Sequence, residues 1–152
     1  MTTFVDGAAS FAPVTAPLRD WLREQMASDL GTDTNGTVQV YAGGFPDALD
    51  LTDGPAIALY TAGGLDGGTA LDRPFARFNV EALSAETAEA AAYALRSILD
   101  HARGAALGLV ADPSEVRLVG ADTAAPLWSP DPDTRRPRFV VTSTLTVQAV
   151  GI

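Results

Sequence analysis

The chain has few groups with which to do chemistry. His101 is its only histidine and cysteine is absent, so neither the usual nucleophile–base pairs nor a zinc site can be assembled within one chain. A lone histidine near the C-terminal end of a predicted helix is most simply a surface cation that suits the helix dipole. Two sets of aspartates, Asp47, Asp50 and Asp53 or Asp131 and Asp133, offer oxygen ligands of the kind calcium takes. Neither set follows the alternating Asp/Asn loop with its closing glutamate, and turn residues or solvated charge account for them. The run Gly63-Gly64-Leu65-Asp66-Gly67-Gly68 invites comparison with a phosphate-binding loop. It lacks the Gly-Lys-Ser/Thr that opens a helix, and a strand is predicted after it. A mobile hairpin tip is the simpler reading. Paired carboxylates for glycoside hydrolysis lack the substrate-binding aromatics, with only two tryptophans in the chain. The expectation is therefore a protein with no catalytic residues, no metal and no cofactor.

Charge narrows the partners. Ten basic against nineteen acidic residues leave a formal charge of −9, which opposes binding to a phosphate backbone. All ten basic residues are arginine. No apolar run reaches the length of a membrane span, and no signal peptide is visible at the N-terminus. At 152 residues with 47 % hydrophobic content, the chain is expected to form a single domain over residues 1–152, with residues 1–12 a flexible N-terminal segment.

Periodicity supplies the elements that would position any site. Leu18, Trp21, Leu22, Met26 and Leu30 recur at helical spacing within Pro17–Leu30, with Thr15 or Ala16 ahead of a first-turn proline and Gly31 at the end. Short strands are predicted at Thr37–Ala42 and Pro55–Thr61. The glycine-rich segment after them is too glycine-rich for the interior of a strand or helix. Arg73–Ala82 alternates, with Ala76, Phe78, Val80 and Ala82 opposite Phe75, Arg77, Asn79 and Glu81, and pairs antiparallel with the strand before the glycines. Ser84 caps a second helix that runs to about Arg103, with an apolar stripe from Ala88 to Ala102. Strands around Glu115–Val119 and over Phe139–Ala149 complete the order α, β, β, β, α, β, β. The predicted class is α+β, a small antiparallel or mixed sheet with two helices packed on one face.

One segment stands out as a contact surface. Trp128–Arg138 combines an aromatic, three prolines, two acids and Arg135, Arg136 and Arg138 just before the longest strand, and tryptophan and arginine are the residues most enriched at binding hot spots. The competing reading folds Trp128 into the core and leaves an ordinary polar loop.

The layout from Pro55 to Gln148 resembles the tail terminator (tail completion) proteins of long-tailed bacteriophages, those of actinobacterial hosts in particular. The resemblance is carried by an order of pieces. These are the strand Ala56–Tyr60, the loop Gly63–Thr69, Leu71-Asp72-Arg73-Pro74 leading into Phe75–Glu81, the alanine-rich helix Ser84–Arg103, Pro126-Leu127-Trp128, and Arg136-Pro137-Arg138-Phe139 entering the last strand.

The resemblance implies a structural virion protein, assembled in the bacterial host cytoplasm, that forms a hexameric ring at the head-proximal end of the tail tube. Such a ring stops tail polymerisation and provides the head–tail joining surface. Its implied partners are further copies of itself, the major tail tube protein and the neck or connector proteins. DNA passes through the lumen without specific binding, which suits subunits of charge −9. On this reading Gly63, Gly64, Asp66, Gly67 and Gly68 meet the tube or line the lumen, and Trp128, Arg135, Arg136 and Arg138 form a subunit or ring interface. The alternative is a head–tail connector or stopper ring of the neck. A small-ligand enzyme domain would instead show a deep pocket with converging polar groups.

Overall fold

The computed structural model describes residues 14–29, 38–66, 71–102, 105–107 and 116–148. Among these, two helices, α1 (Thr15–Asp29) and α2 (Ala85–Asp100), accompany seven strands. The strands are β1 (Gln39–Ala42), β2 (Ala56–Asp66), β3 (Leu71–Glu81), β4 (Ala105–Leu107), β5 (Val116–Thr123), β6 (Leu127–Trp128) and β7 (Arg138–Gln148). They form one mixed sheet in the order β1-β2-β3-β7-β5-β4, with β6 also paired to β7. Only β1–β2 is parallel, joined through residues 43–55; the other pairs are antiparallel. The class is α+β, as the periodicity predicts.

Cross-strand register divides the side chains into two faces. Ile57–Val80–Phe139 and Leu59–Phe78–Val141 are rows on the inner face, continued by Leu145, Val147 and Leu118. These residues form one buried cluster with Leu18, Leu22 and Met26 of α1 and Ala88, Ala91, Ala92, Leu95, Ile98 and Leu99 of α2. Helical spacing aligns each of those sets on one stripe, and burying the stripe stabilises helices that would be marginal alone. Ser84 is the N-cap of α2, its hydroxyl accepting from the Thr87 amide at 3.1 Å. Arg23 reaches from α1 to donate to the Val40 carbonyl at 2.7 and 3.0 Å. That occupies an acceptor of edge strand β1 which would otherwise invite another strand.

Three expectations need correction. Two short strands, β4 and β6, were not predicted, because two or three residues carry no readable period and form only against β5 and β7. Helix α2 stops at Asp100 with His101 as its C-cap, short of the predicted Arg103; Arg103 and Gly104 lie outside the described residues, as do residues 1–12. The third concerns the glycines. Gly63 and Gly64 lie inside β2, which runs to Asp66. The register passes from Ala62↔Phe75 to Leu65↔Arg73, so two residues of β2 oppose the single residue Pro74. This is a β-bulge, and its reason is chemical: Pro74 has no N–H to hold a partner, so the ladder is broken at that point.

Candidate interaction surface

The outer face of the sheet is built from the alternate residues of the same strands. Its rows run Ala56–Glu81–Arg138, Ala58–Asn79–Val140, Tyr60–Arg77–Thr142 and Ala62–Phe75–Thr144–Asp122. The first two rows are closed: Ala56, Ala58, Asn79 and Glu81 are buried. The last two are open, with Tyr60 and Phe75 respectively 39 % and 46 % exposed. There they line a groove of about 490 Å³ with Ala62, Arg77, Asp122 and Thr142. Two aromatic rings on adjacent strands are thus left partly in water.

At the closed end, Trp128–Arg138 is a hairpin that links β6 to β7. Ser129 and Asp131 donate their amides to the Arg138 and Arg136 carbonyls at 2.9 and 3.1 Å, which extends the pairing beyond the strands. The tip turns on Asp131, whose Oδ1 accepts from the Asp133 and Thr134 amides at 2.9 and 3.2 Å. Arg135 then takes φ 59°, the left-handed conformation that closes many short hairpins.

The arginines of this hairpin divide by role. The Arg138 Nε donates to the Ser129 carbonyl at 2.7 Å and its Nη1 lies 3.8 Å from Asp131. Nη1 of Arg136 lies 3.5 Å from Oε2 of Glu81, on β3. Arg135 is exposed and makes no ion pair or side-chain hydrogen bond among the described residues. Only Arg135, of the three, presents a free guanidinium. Trp128 falls between the two sequence readings: its ring packs 5.2 Å from that of Phe139, yet it is 49 % exposed. Leu127 beside it is more exposed still.

Glu81 was not singled out by the sequence, where it reads as one more polar residue on an alternating strand. It is 1 % exposed, and its Oε1 is buried without a hydrogen-bond partner among the described residues. Burial first, then the neighbouring Asp131 carboxyl, raises its pKa above the ordinary glutamate value of 4.5. Asp131 moves the other way, held down mainly by the amides of Asp133 and Thr134.

The glycine segment and the Trp128 hairpin are not brought together. They flank opposite ends of β3, nine residues from Asp72 to Glu81, which at strand rise is roughly 30 Å. Gly63 is exposed, and a Cβ built on it would meet nothing within 4 Å. Gly67, Gly68 and the Asp66 side chain lie outside the described residues.

Among the described residues no group of three or more His, Cys, Asp or Glu is placed to hold a metal ion. Asp50 accepts from the Thr52 amide at 2.8 Å in an exposed turn, and the Thr52 side chain first, then its amide, lowers its pKa. His101 is exposed, with Nδ1 2.7 Å from the Ser97 carbonyl oxygen. No helix of the described residues is long and apolar enough to cross a membrane. No protein-family model matches the chain, and a search of the curated proteins returns no match.

Proposed function

We propose that the chain is a structural virion protein that forms a ring, six-fold on the tail-terminator pattern, at the head-proximal end of a phage tail tube. There it ends tube growth and offers the surface to which the head joins. The observation that carries this reading is that the two candidate contact regions sit at the two ends of β3, roughly 30 Å apart along a strand in the interior of the sheet. An adaptor between two assemblies needs two such surfaces held at a constant distance, and a paired strand supplies the rigid spacer. In this reading the Gly63–Gly68 end meets the tube or lumen. The Trp128 hairpin meets a neighbouring subunit or the adjoining ring through Trp128 and Arg135, while Arg136 and Arg138 hold the hairpin in shape.

The resemblance in the order of pieces from Pro55 to Gln148 supports the same assignment. So does the charge of −9, which favours passage of DNA over adhesion. The test is to image virions labelled on this chain. Label at the junction of the tail tube with the neck supports the terminator; label on the portal side of the neck favours the stopper ring; label on the tail tip or capsid shell overturns both. A paired substitution, Trp128→Ala with Arg135→Glu, is expected to give folded protein and tails of uncontrolled length. Normal virions from that variant would remove the hairpin from the interface.

A further inference from the structure

Four charged groups meet where the Trp128–Arg138 hairpin crosses the end of β3, and the proposed ring contact makes no use of two of them. Glu81 points to the outer face from β3; its cross-strand neighbour on β7 is Arg138, and on β2 it is the uncharged Ala56. The hairpin adds Arg136, 3.5 Å from Oε2 of Glu81, and Asp131, whose Oδ2 is 3.8 Å from Nη1 of Arg138. The remaining hairpin charges, Asp133 and Arg135, are exposed. Two carboxyls and two guanidiniums would balance if every pair were tight and every lone pair satisfied. They are not: Oε1 of Glu81 is buried with no hydrogen-bond partner among the described residues, and Oε2 has one long contact. An ionised carboxylate that is 1 % exposed and so poorly satisfied is costly, and a proton on it removes that cost.

We propose that Glu81 and Asp131 form a proton-sharing carboxyl pair that couples the seating of the Trp128–Arg138 hairpin on the sheet to pH. With its proton, Glu81 is neutral and donates to the ionised Asp131, which keeps accepting from the Asp133 and Thr134 amides and holds the tip in shape. Without it, two carboxylates face each other, and only the long contacts of Arg136 with Glu81 and of Arg138 with Asp131, at 3.5 and 3.8 Å, offset their repulsion. The hairpin then lifts away from Glu81 and admits water to it. Because Asp131 is both the partner of Glu81 and the residue on which the tip turns, one proton changes the presentation of Arg135, four residues further along. This holds whatever the hairpin contacts.

The two groups act in opposite senses on stability. The folded chain holds the Glu81 proton to higher pH than an unfolded glutamate does. Its stabilising contribution is therefore complete below the ordinary value of 4.5 and is lost as pH rises through the raised folded value. Asp131 contributes stability above its ordinary value of 3.8, lost only as pH falls through its lowered folded value. Stability due to this cluster is thus greatest between the two folded-state values and declines as pH rises through that of Glu81.

The test compares the chain with Glu81→Gln, which keeps a donor toward Asp131 and can never ionise. At about pH 7.5 the variant is expected to melt about 2–4 °C higher than the wild type, a shift that corresponds to relieving one poorly satisfied charge in a chain of this size. The difference should vanish at about pH 4, where both forms are neutral at this position. A melting temperature of Glu81→Gln equal to or below wild type at the higher pH overturns the proposal. A measurement on the unaltered protein stands independently of that variant: NMR titration of the Glu81 carboxyl carbon together with the Asp133 and Thr134 amides. A shared midpoint above 4.5 is expected. Hairpin amides that do not follow the Glu81 titration, or a midpoint at or below that value, overturn it.

Discussion

At one end of the outer face Ala58, Asn79 and Glu81 are shut away from water, and one to two rows further along the same strands Tyr60 and Phe75 stand in it. Each end departs from the alternation that β3 shows in sequence, and in opposite directions. At the closed end a carboxyl is buried and a hairpin with its own arginine crosses over to meet it. At the open end aromatic side chains are exposed and none of the described residues covers them. Such departures accumulate at functional positions, because a fold keeps a local misfit only where something compensates it. The compensation at the closed end is internal, within this chain; at the open end none of the described residues supplies it.

That contrast can be broken most sharply on β2, where Ala58 and Ala62 lie on one strand and one face. Ala58→Glu would bury a charge without a partner and is expected to cost about 3–5 kcal/mol in urea unfolding. Ala62→Glu, in the open groove, should stay within about 0.5 kcal/mol of wild type. Equal costs would mean that the outer face is not divided as described. The next largest effect is Arg136→Glu, which sets a third carboxylate beside Glu81 and Asp131. A loss of about 2–4 kcal/mol is expected, and it should be smaller in acid, where the cluster gains protons. Tyr60→Ser with Phe75→Ser sharpens the other side: each ring is only about half buried, so the pair should cost about 2–3 kcal/mol, less than two fully buried aromatics would. If the proposed ring function holds, pelleting or light scattering with tail tubes should then register lost association. The smallest effect is Arg135→Gly. Glycine accepts φ 59° without the Cβ penalty, so the variant should gain about 0.5–1 kcal/mol while losing the free guanidinium of the hairpin. A variant that is more stable yet fails in assembly would separate the contact role of Arg135 from any part in folding.

The helices and the long strands were legible because their apolar residues repeat: Leu18, Leu22 and Met26 at helical spacing, Phe139, Val141, Leu145 and Val147 at every second position. Ser84 announced the start of α2 through a local capping bond. The Trp128–Arg138 segment was legible as a contact candidate by composition alone. Which of its arginines is free was not, since Arg136 finds its partner fifty-five residues away on β3. The glycine segment misled for a related reason. Gly63 and Gly64 read locally as a tip, and only the opposition of Pro74 across the sheet shows them to be a bulge within β2. Glu81 carried no signal at all, because its surroundings include a hairpin brought to it from a distant part of the chain.

By itself the sequence determined the class of fold and the apolar stripes of the two helices and of the long strands, since these follow from periodicity and local capping that any short window contains. It also determined the absence of cysteine and the surplus of acid, which bound what the chain can do. Tertiary structure alone decided the strand order, the division of the outer face into a closed and an open end, the pairing of Arg136 with Glu81 and the freedom of Arg135. Each of those depends on which distant residue comes to lie across a strand or under a hairpin. That is a matter of register and topology, and a carboxyl is costly or harmless according to whether water can still reach it there.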